Sequence, residues 1–452
     1  MPSWVRWGTR YLALIPWLWC TPAHAGASAY VVGQNDSRIA RVDLTTGTVT
    51  PSVADAGSFP NRIEVGPRGR LAAVANSGSD DVTLVQLRTG NVLGTVSLPP
   101  GCNPWGVEIV GRRVFVTGLL TDEVYEIDAV SMSVVRTVSV GRAPEGMAVS
   151  AGRLFVANTG FDFTDFTYDP GTVTVLDLEG LALLDTVPVS LNPQDCLRAP
   201  DGTIHVVCTG DFFQTFGAVD VLDPEHGTVL GSVPVPTGYP GGGAIDRNGG
   251  AFLNVTTTSF GSEVWSYDAG TLTLVRDGSD PLLPSFDFFG ALAVVGDGRI
   301  AVPDFSADLL LVENPAAPGS PGVHLVGDGP IAVAVVDEPD NAESPDAIAR
   351  LLAAAGEGDA RRVSFAPVVP NPSRGTVTLA VRGPEGAAAT VSVFDVQGRR
   401  VRTLGRRTVS TGSAVFPWDG RTDAGSAAGA GVYFARAESE RGTAVTRVLR
   451  VR

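Results

Sequence analysis

Ten of this chain's 19 phenylalanines fall in four short segments that also carry aspartate. The segments are Phe161-Asp162-Phe163-Thr164-Asp165-Phe166-Thr167-Tyr168-Asp169, Asp211-Phe212-Phe213-Gln214-Thr215-Phe216, Ser285-Phe286-Asp287-Phe288-Phe289 and Asp304-Phe305. Rings interleaved with acids in loops suit stacking on sugar rings or anchoring a protein partner. The carboxylates of Asp162, Asp165 and Asp169 also offer oxygen ligands to Ca²⁺, although their spacing does not follow a calcium-loop motif. Long loops that fold back and bury their rings over a channel mouth satisfy the same pattern. All three readings stand at this point, and metal occupancy is unknown.

Other chemistry is sparse. Beyond residue 25 the histidines are His205, His226 and His324, and no two fall at metal-ligand spacing. His205 lies in the apolar run Ile204–Val207 and reads as a satisfied core imidazole. There is no haem-attachment motif, no nucleophile elbow and no phosphate-cradling glycine loop. Gly241-Gly242-Gly243 reads as a flexible turn or close approach. All basic residues are Arg, so Schiff-base chemistry and Lys general bases are excluded. No catalytic residue is assigned. Cys196 and Cys208 flank the turn Pro200-Asp201-Gly202-Thr203 and are expected to face each other, as a disulfide pair or as two core thiols. Cys102 is left without a partner.

The elements that must position these residues repeat. Pro60, Pro104, Pro144, Pro193, Pro240, Pro284 and Pro330 recur at intervals of roughly 40–50 residues, a period that marks a repeat architecture. Most open an apolar run, as in Val107–Val110 or Met147–Val149. A turn, a second run such as Leu154–Ala157, a third such as Val173–Leu178 and a fourth such as Val134–Val140 complete a unit. Four short strands per unit describe a propeller blade. Pro330 is followed by one strand only, Ile331–Val336. Tyr30–Val32, Ile39–Val42 and Val49–Val53 supply the other three, so both ends of the segment share one blade and the total is seven.

The four aromatic segments then belong to loops on one face of the ring. Glu64, Glu108, Asp195 and Asp246 sit on or next to inner strands and can converge in the channel, where Arg62, Arg198 and Arg247 can also pair with them.

Residues 1–25 read as a secretory signal, with Arg6 and Arg10, an apolar stretch Tyr11–Trp19 and Ala23-His24-Ala25. No stretch is long and apolar enough for a membrane span. Residues 26–338 are expected to form the propeller, 339–362 a linker with a short helix, and 363–452 a small β-sandwich. The last segment holds 13 Arg against 6 acids (+7), whereas 26–362 holds 18 Arg against 42 acids (−24). An acidic ring disfavours nucleic acid and anionic lipid as partners.

Two resemblances follow. Asn371-Pro372, Val393-Phe394-Asp395-Val396-Gln397-Gly398-Arg399-Arg400-Val401, Trp418-Asp419-Gly420-Arg421 and Gly431-Val432-Tyr433-Phe434 occur in order. This segment resembles the Ig-like domain of flagellar hook-capping proteins and the related C-terminal sorting domains of type IX secretion. Gly152-Arg153-Leu154-Phe155-Val156-Ala157-Asn158 followed by Val173-Thr174-Val175-Leu176-Asp177 resembles the YVTN-type bacterial propeller repeat. The resemblances imply an all-β, exported protein of a Gram-negative bacterium, extracellular or on the outer surface, or periplasmic if 363–452 is not a sorting signal. The expectation is a non-catalytic recognition protein without cofactor (Ca²⁺ apart), binding a glycan or protein and meeting secretion machinery through 363–452. The alternative is a lactonase-like metal-dependent hydrolase or lyase with its site in the channel.

Overall fold

A computed structural model describes residues 26–66, 69–286, 288–337, 363–365, 373–383, 385–395, 399–410, 413–439 and 442–450. The expected signal and linker helix, Asn371-Pro372, Gln397-Gly398 and Asp287 lie outside the described residues. The described elements are all strands, and the chain divides by its contacts into units 1–342 and 343–452.

Among the described residues the first unit contains seven antiparallel blade sheets, six of four strands and one, in blade five, of five. Blades one to six occupy residues 60–97, 104–139, 144–188, 193–234, 238–276 and 293–325. In the seventh, Pro330–Asp337 is innermost, followed outward by Ala27–Gly33, Arg38–Asp43 and Val49–Asp55. Val31 pairs with Val333 and Tyr30 with Ala334, so the two ends of the unit meet in one sheet as the strand pattern predicts. That blade packs on both sides. Ala29, Val31 and Val42 share a core with Ala301 and Leu310 of blade six, while Val32 and Ile39 share one with Ile63, Val74 and Val85 of blade one. Every such core straddles two neighbours, so no blade buries its apolar surface alone.

Local sequence explains the blade. Second strands read almost continuously apolar and are buried throughout, as in Leu154–Ala157. Fourth strands alternate and are exposed, as in Ser133–Ser139. An asparagine ends the second strand of two blades and ties it to the third: Asn76 Nδ2 donates to Asp81 and Thr83, and Asn158 Nδ2 donates to Thr172 and Thr174. Aspartates punctuate the turns after third strands. Asp128 Oδ1 accepts from the Val130 and Ser131 N–H groups, and Asp43 Oδ1 from those of Thr45 and Thr46. A second series holds each blade to the next, with Asp80 accepting from the Gly101 and Asn103 amides and Asp122 from that of Ala143. Much of the ring's acidity is therefore turn chemistry.

Two sequence expectations need correction. Pro284 does not open an inner strand. Leu283–Phe286 pairs with Ser262–Asp268 at the outer edge of blade five, beside Thr273–Arg276, and blade six begins inside with Ala293–Val294. Cys196 and Cys208 are free thiols and not directly opposed. Cys196 pairs in register with Val206, and Cys208 with Pro193. The turn is centred on Asp201, with the Ala199 amide donating to the Thr203 carbonyl, one residue earlier than the Cys-to-Cys midpoint.

The second unit has two sheets. Ser364–Phe365, Val377–Arg382 and Ser413–Trp418 form one; Arg400–Thr408, Ala388–Asp395, Gly431–Ser439 and Gly442–Arg450 form the other. Trp418 is fully buried, with Leu379, Val391, Val393 and Phe416 around it. Its indole Nε1 donates to the Arg421 carbonyl at 3.0 Å, and Asp419 caps the turn at the Arg421 amide.

Candidate functional site

Strand polarity sorts the loops. Each inner strand starts at the face that also carries the loop between second and third strands. Phe161 and Tyr168 pair across a two-stranded hairpin in that loop of blade three. Phe161 is the hub, with ring centroids of Phe163, Tyr168 and Phe166 at 4.8, 5.0 and 6.1 Å. In blade four, Asp211 Oδ1 accepts from the amides of Phe213, Gln214 and Thr215 and folds the loop tightly. Phe212 and Phe216 lie on Tyr239 at 5.1 and 5.5 Å. Phe288 and Phe305 meet edge-on at 5.8 Å.

The plug and the open face each describe part of this set. Phe161 and Phe212 fold inward, and Phe289 is a core residue of blade six. Phe163, Phe166, Phe213, Phe216 and Phe288 remain exposed, Phe213 by 84% and Phe166 by 75%. Phe286 lies on the outer-edge strand of blade five. Three exposed rings on the same rim were missed: Phe59, Trp105 and Phe260. Phe59 immediately precedes a repeat proline and Trp105 immediately follows one, so offsets from the proline were the available signal. Among the described residues of the ring, the opposite rim has no exposed Phe, Tyr or Trp.

The acids of the blade-three hairpin do not converge as ligands. Arg142 Nη1 lies 2.7 Å from Asp162 and 3.1 Å from Asp169, so a guanidinium bridges them. Asp165 instead accepts from the amide and hydroxyl of its own turn residue Thr167. Hydrogen bonds from the Thr164 amide hold the Asp162 carboxyl below the usual range. Among the described residues no three His, Cys, Asp or Glu side chains are grouped to hold a metal.

The channel is a cavity of about 450 Å³ lined by all seven inner strands. Glu64 and Glu108 line it, and Asp195 lies close enough to act on both carboxyls, as the strand positions suggested. Asp246 is not among them; it caps the turn at Asn248 and Gly250 beyond the strand end. Asp195 is held from the far side of the ring. Arg62 Nη2 donates to its two oxygens at 2.8 and 3.0 Å, a strut between blades one and four. Glycine clears the way for it. A Cβ at Gly146 would overlap Asp195, and one at Gly242 would come 3.2 Å from its Oδ2.

Glu145, first after Pro144, also belongs to this group and was missed. Water reaches these glutamates, yet protein surrounds them, and desolvation dominates their titration. It raises Glu64 to about 7 against the partial opposition of Arg62, and Glu145 to about 8. Glu108 is raised well above the ordinary range, first by burial and next by Glu64. His205 is buried with Nδ1 2.9 Å from the Tyr267 hydroxyl, and burial lowers it to about 4. It is a core residue, as expected.

Residues 369–443 match the FlgD Ig-like domain family. No curated protein matches the chain. Among solved structures, hydrazine synthase from Kuenenia stuttgartiensis is similar at 17% identity and TM-score 0.50, over 56% of this chain and 76% of that one. A Bacteroides fragilis protein provisionally assigned as a 6-phosphogluconolactonase is similar at 14% identity and TM-score 0.53, over 69% and 98%. Apo AztD from Citrobacter koseri is similar at 12% identity and TM-score 0.45, over 71% and 100%. At these identities the likeness concerns fold alone.

Proposed function

We propose that this chain is an exported recognition protein whose ring presents an aromatic rim to a glycan or protein outside the cell, and whose Ig-like domain directs secretion or surface attachment. The observation that carries the binding role is the segregation of exposed rings. Phe59, Trp105, Phe163, Phe166, Phe213, Phe216, Phe260 and Phe288 all lie on one rim. Surface aromatics gathered on one face are disfavoured in water unless something covers them, and they supply rigid contact area at low entropic cost. Phe166 and Phe260 also adopt left-handed backbone, with φ of 59° and 63°, a conformation that costs a bulky residue about 1–3 kcal/mol. Solubility alone would favour Asn or Gly there.

The channel-hydrolase alternative draws support from the converging carboxyl groups. Against it, Asp195 is committed to Arg62, and among the described residues the acids form no metal-holding group.

The test is binding of fluorescently labelled full-length chain to intact cells of the producing bacterium and to a glycan array. Replacing Phe166, Phe213 and Phe260 together with Asn is expected to reduce binding by about tenfold or more, roughly 1.4 kcal/mol or above, with melting unchanged or slightly raised. Undiminished binding by the folded variant would sink the proposal.

A further inference from the structure

The channel cavity lies in the half of the ring away from the aromatic rim. Inner strands start at that rim, yet Pro60, Pro104, Pro144 and the residue after each take no part in the cavity wall. The wall runs from Arg62, Gly106 and Gly146 to Val65, Val149, Ile245 and Arg198. Arg198 ends its strand exposed and marks the mouth, while the Arg62–Asp195 strut crosses the inner end. Strand register shows two blades departing from the rest inside it. Glu64 pairs with Ala73 and Glu108 with Phe115 of their second strands. The same place in the other blades holds Ala148, Leu197, Ala244, Ala293 and Ala334. Adjoining blades thus set two carboxyl groups into a cavity of about 450 Å³, opposite walls of Gly, Ala, Val, Leu and Ile from blades five to seven. That volume is usual for small-ligand pockets. The glutamates are not the partners of Arg62, whose Nη2 donates to both oxygens of Asp195. Among the described residues the side chains of Glu108 and Arg198 make no hydrogen bond or salt bridge. With all groups ionised, Arg62 and Arg198 face Asp195, Glu64 and Glu108, so one negative charge lacks a counter-charge. A carboxylate enclosed by protein is costly without one, and burial accordingly raises both glutamates.

We infer that the channel cavity binds a small apolar amine, its ammonium group between Glu64 and Glu108 and its hydrocarbon body against blades five to seven. One positive charge supplies the missing counter-charge, and Ala244, Leu292, Val294 and Val333 offer apolar contact. A sugar would find no polar side chain on those walls for its hydroxyl groups. A hard divalent ion needs several converging oxygens, and no three acids are so grouped among the described residues. The site is separate from the aromatic rim and stands whether or not that rim binds a partner.

Methionine supplies the reporter. Beyond residue 25 the chain has only Met132 and Met147; Met147 lines the cavity, whereas Met132 lies on an outer turn beside Gly94. In full-length protein labelled with ¹³C at the methionine methyl groups, Met147→Leu identifies the Met147 signal. The probes are cyclohexylamine, cyclohexanol and cyclohexanecarboxylate, alike in shape and different in charge. Cyclohexylamine is expected to shift Met147 saturably and leave Met132 in place, with the other two at least about tenfold weaker. Glu64→Gln and Glu108→Gln, each checked by melting, should weaken the amine about tenfold or more. Affinity should rise from about pH 6 to about pH 8.5, because the bound ammonium favours ionised glutamates and the amine itself stays protonated. The charged groups facing the glutamates are Arg62, Arg198 and Asp195, and the remaining lining strands add only the Cys196 thiol, which burial keeps protonated. A stationary Met147 signal, equal affinity for cyclohexanol, or a folded Glu108→Gln that binds the amine normally would overturn the inference. Were Glu108→Gln to unfold, Glu64→Gln and the direction of the pH dependence would decide in the same way.

Discussion

Glu64 and Glu145 show how the repeat permits what a single site would not. Each sits where the inner strands crowd about the axis, so the penalty for ionising it is borne by a ring held together elsewhere. With folded values near 7 and 8 against an ordinary 4.5, folding favours the protonated acids. Their stabilising contribution is complete below the ordinary value and is lost as pH rises through 7 and 8. Glutamine at both positions should therefore match wild-type melting near pH 5 and exceed it by a few degrees near pH 8.5. His205 acts at lower pH, losing its contribution as pH falls from 6.5 through 4, and it is common to both proteins. Differential scanning fluorimetry from about pH 5 to about pH 9 decides the matter. Parallel curves for the two proteins would refute the assignment. Glu108 and Asp195 were legible in the sequence as inner-strand acids. Glu145 was not, because its neighbour Pro144 was read as punctuation and the offset after it was left uncounted.

At the scale of elements, inner strands carry both the architecture and the site, and their glycines mediate between the two. Gly106, Gly146 and Gly242 each stand two residues after a repeat proline, where Arg62 and Asp195 stand in blades one and four. A Cβ at Gly106 would overlap the Glu145 carbonyl, so backbone approach between blades is set there. Substitutions should rank by geometry. Gly146→Ala collides with Asp195 and should cost about 1–3 kcal/mol by overpacking. Gly242→Ala, at 3.2 Å from the same carboxylate, should cost less, and Gly241→Ala, whose Cβ would meet Gln194 Oε1 at 3.5 Å, should be nearly neutral. Urea denaturation gives the order; a reversed order would show that the strut does not constrain these strands. The sequence displayed the strands because hydrophobic runs and turn residues recur. It misled at Pro284, where proline suits an outer edge as well as an inner start, and at Cys208, where a turn centred one residue away changed the opposing residue.

For the whole molecule, the decisive feature is that the seventh blade is completed from within residues 27–337. Ala27–Gly33 and Pro330–Asp337 pair along their length, and the neighbouring cores are filled from both sides. The ring therefore needs no strand from 363–452, whose sandwich has its own core around Trp418 and Phe416. The charge contrast legible in composition, an acidic ring and an Arg-rich end, follows the same division. Separable folding makes the sorting proposal testable without confusion from misfolding. Deleting 363–452 should leave a ring with wild-type cooperativity and rim binding, measured by thermal melting and by the cell assay. The same deletion should leave the protein in the periplasm, whereas the full chain reaches the surface or medium, as fractionation and immunoblotting would show. A truncated ring that melts normally and is still found outside the cell would remove the secretion role from the Ig-like domain and leave the aromatic rim as the sole basis of the proposed function.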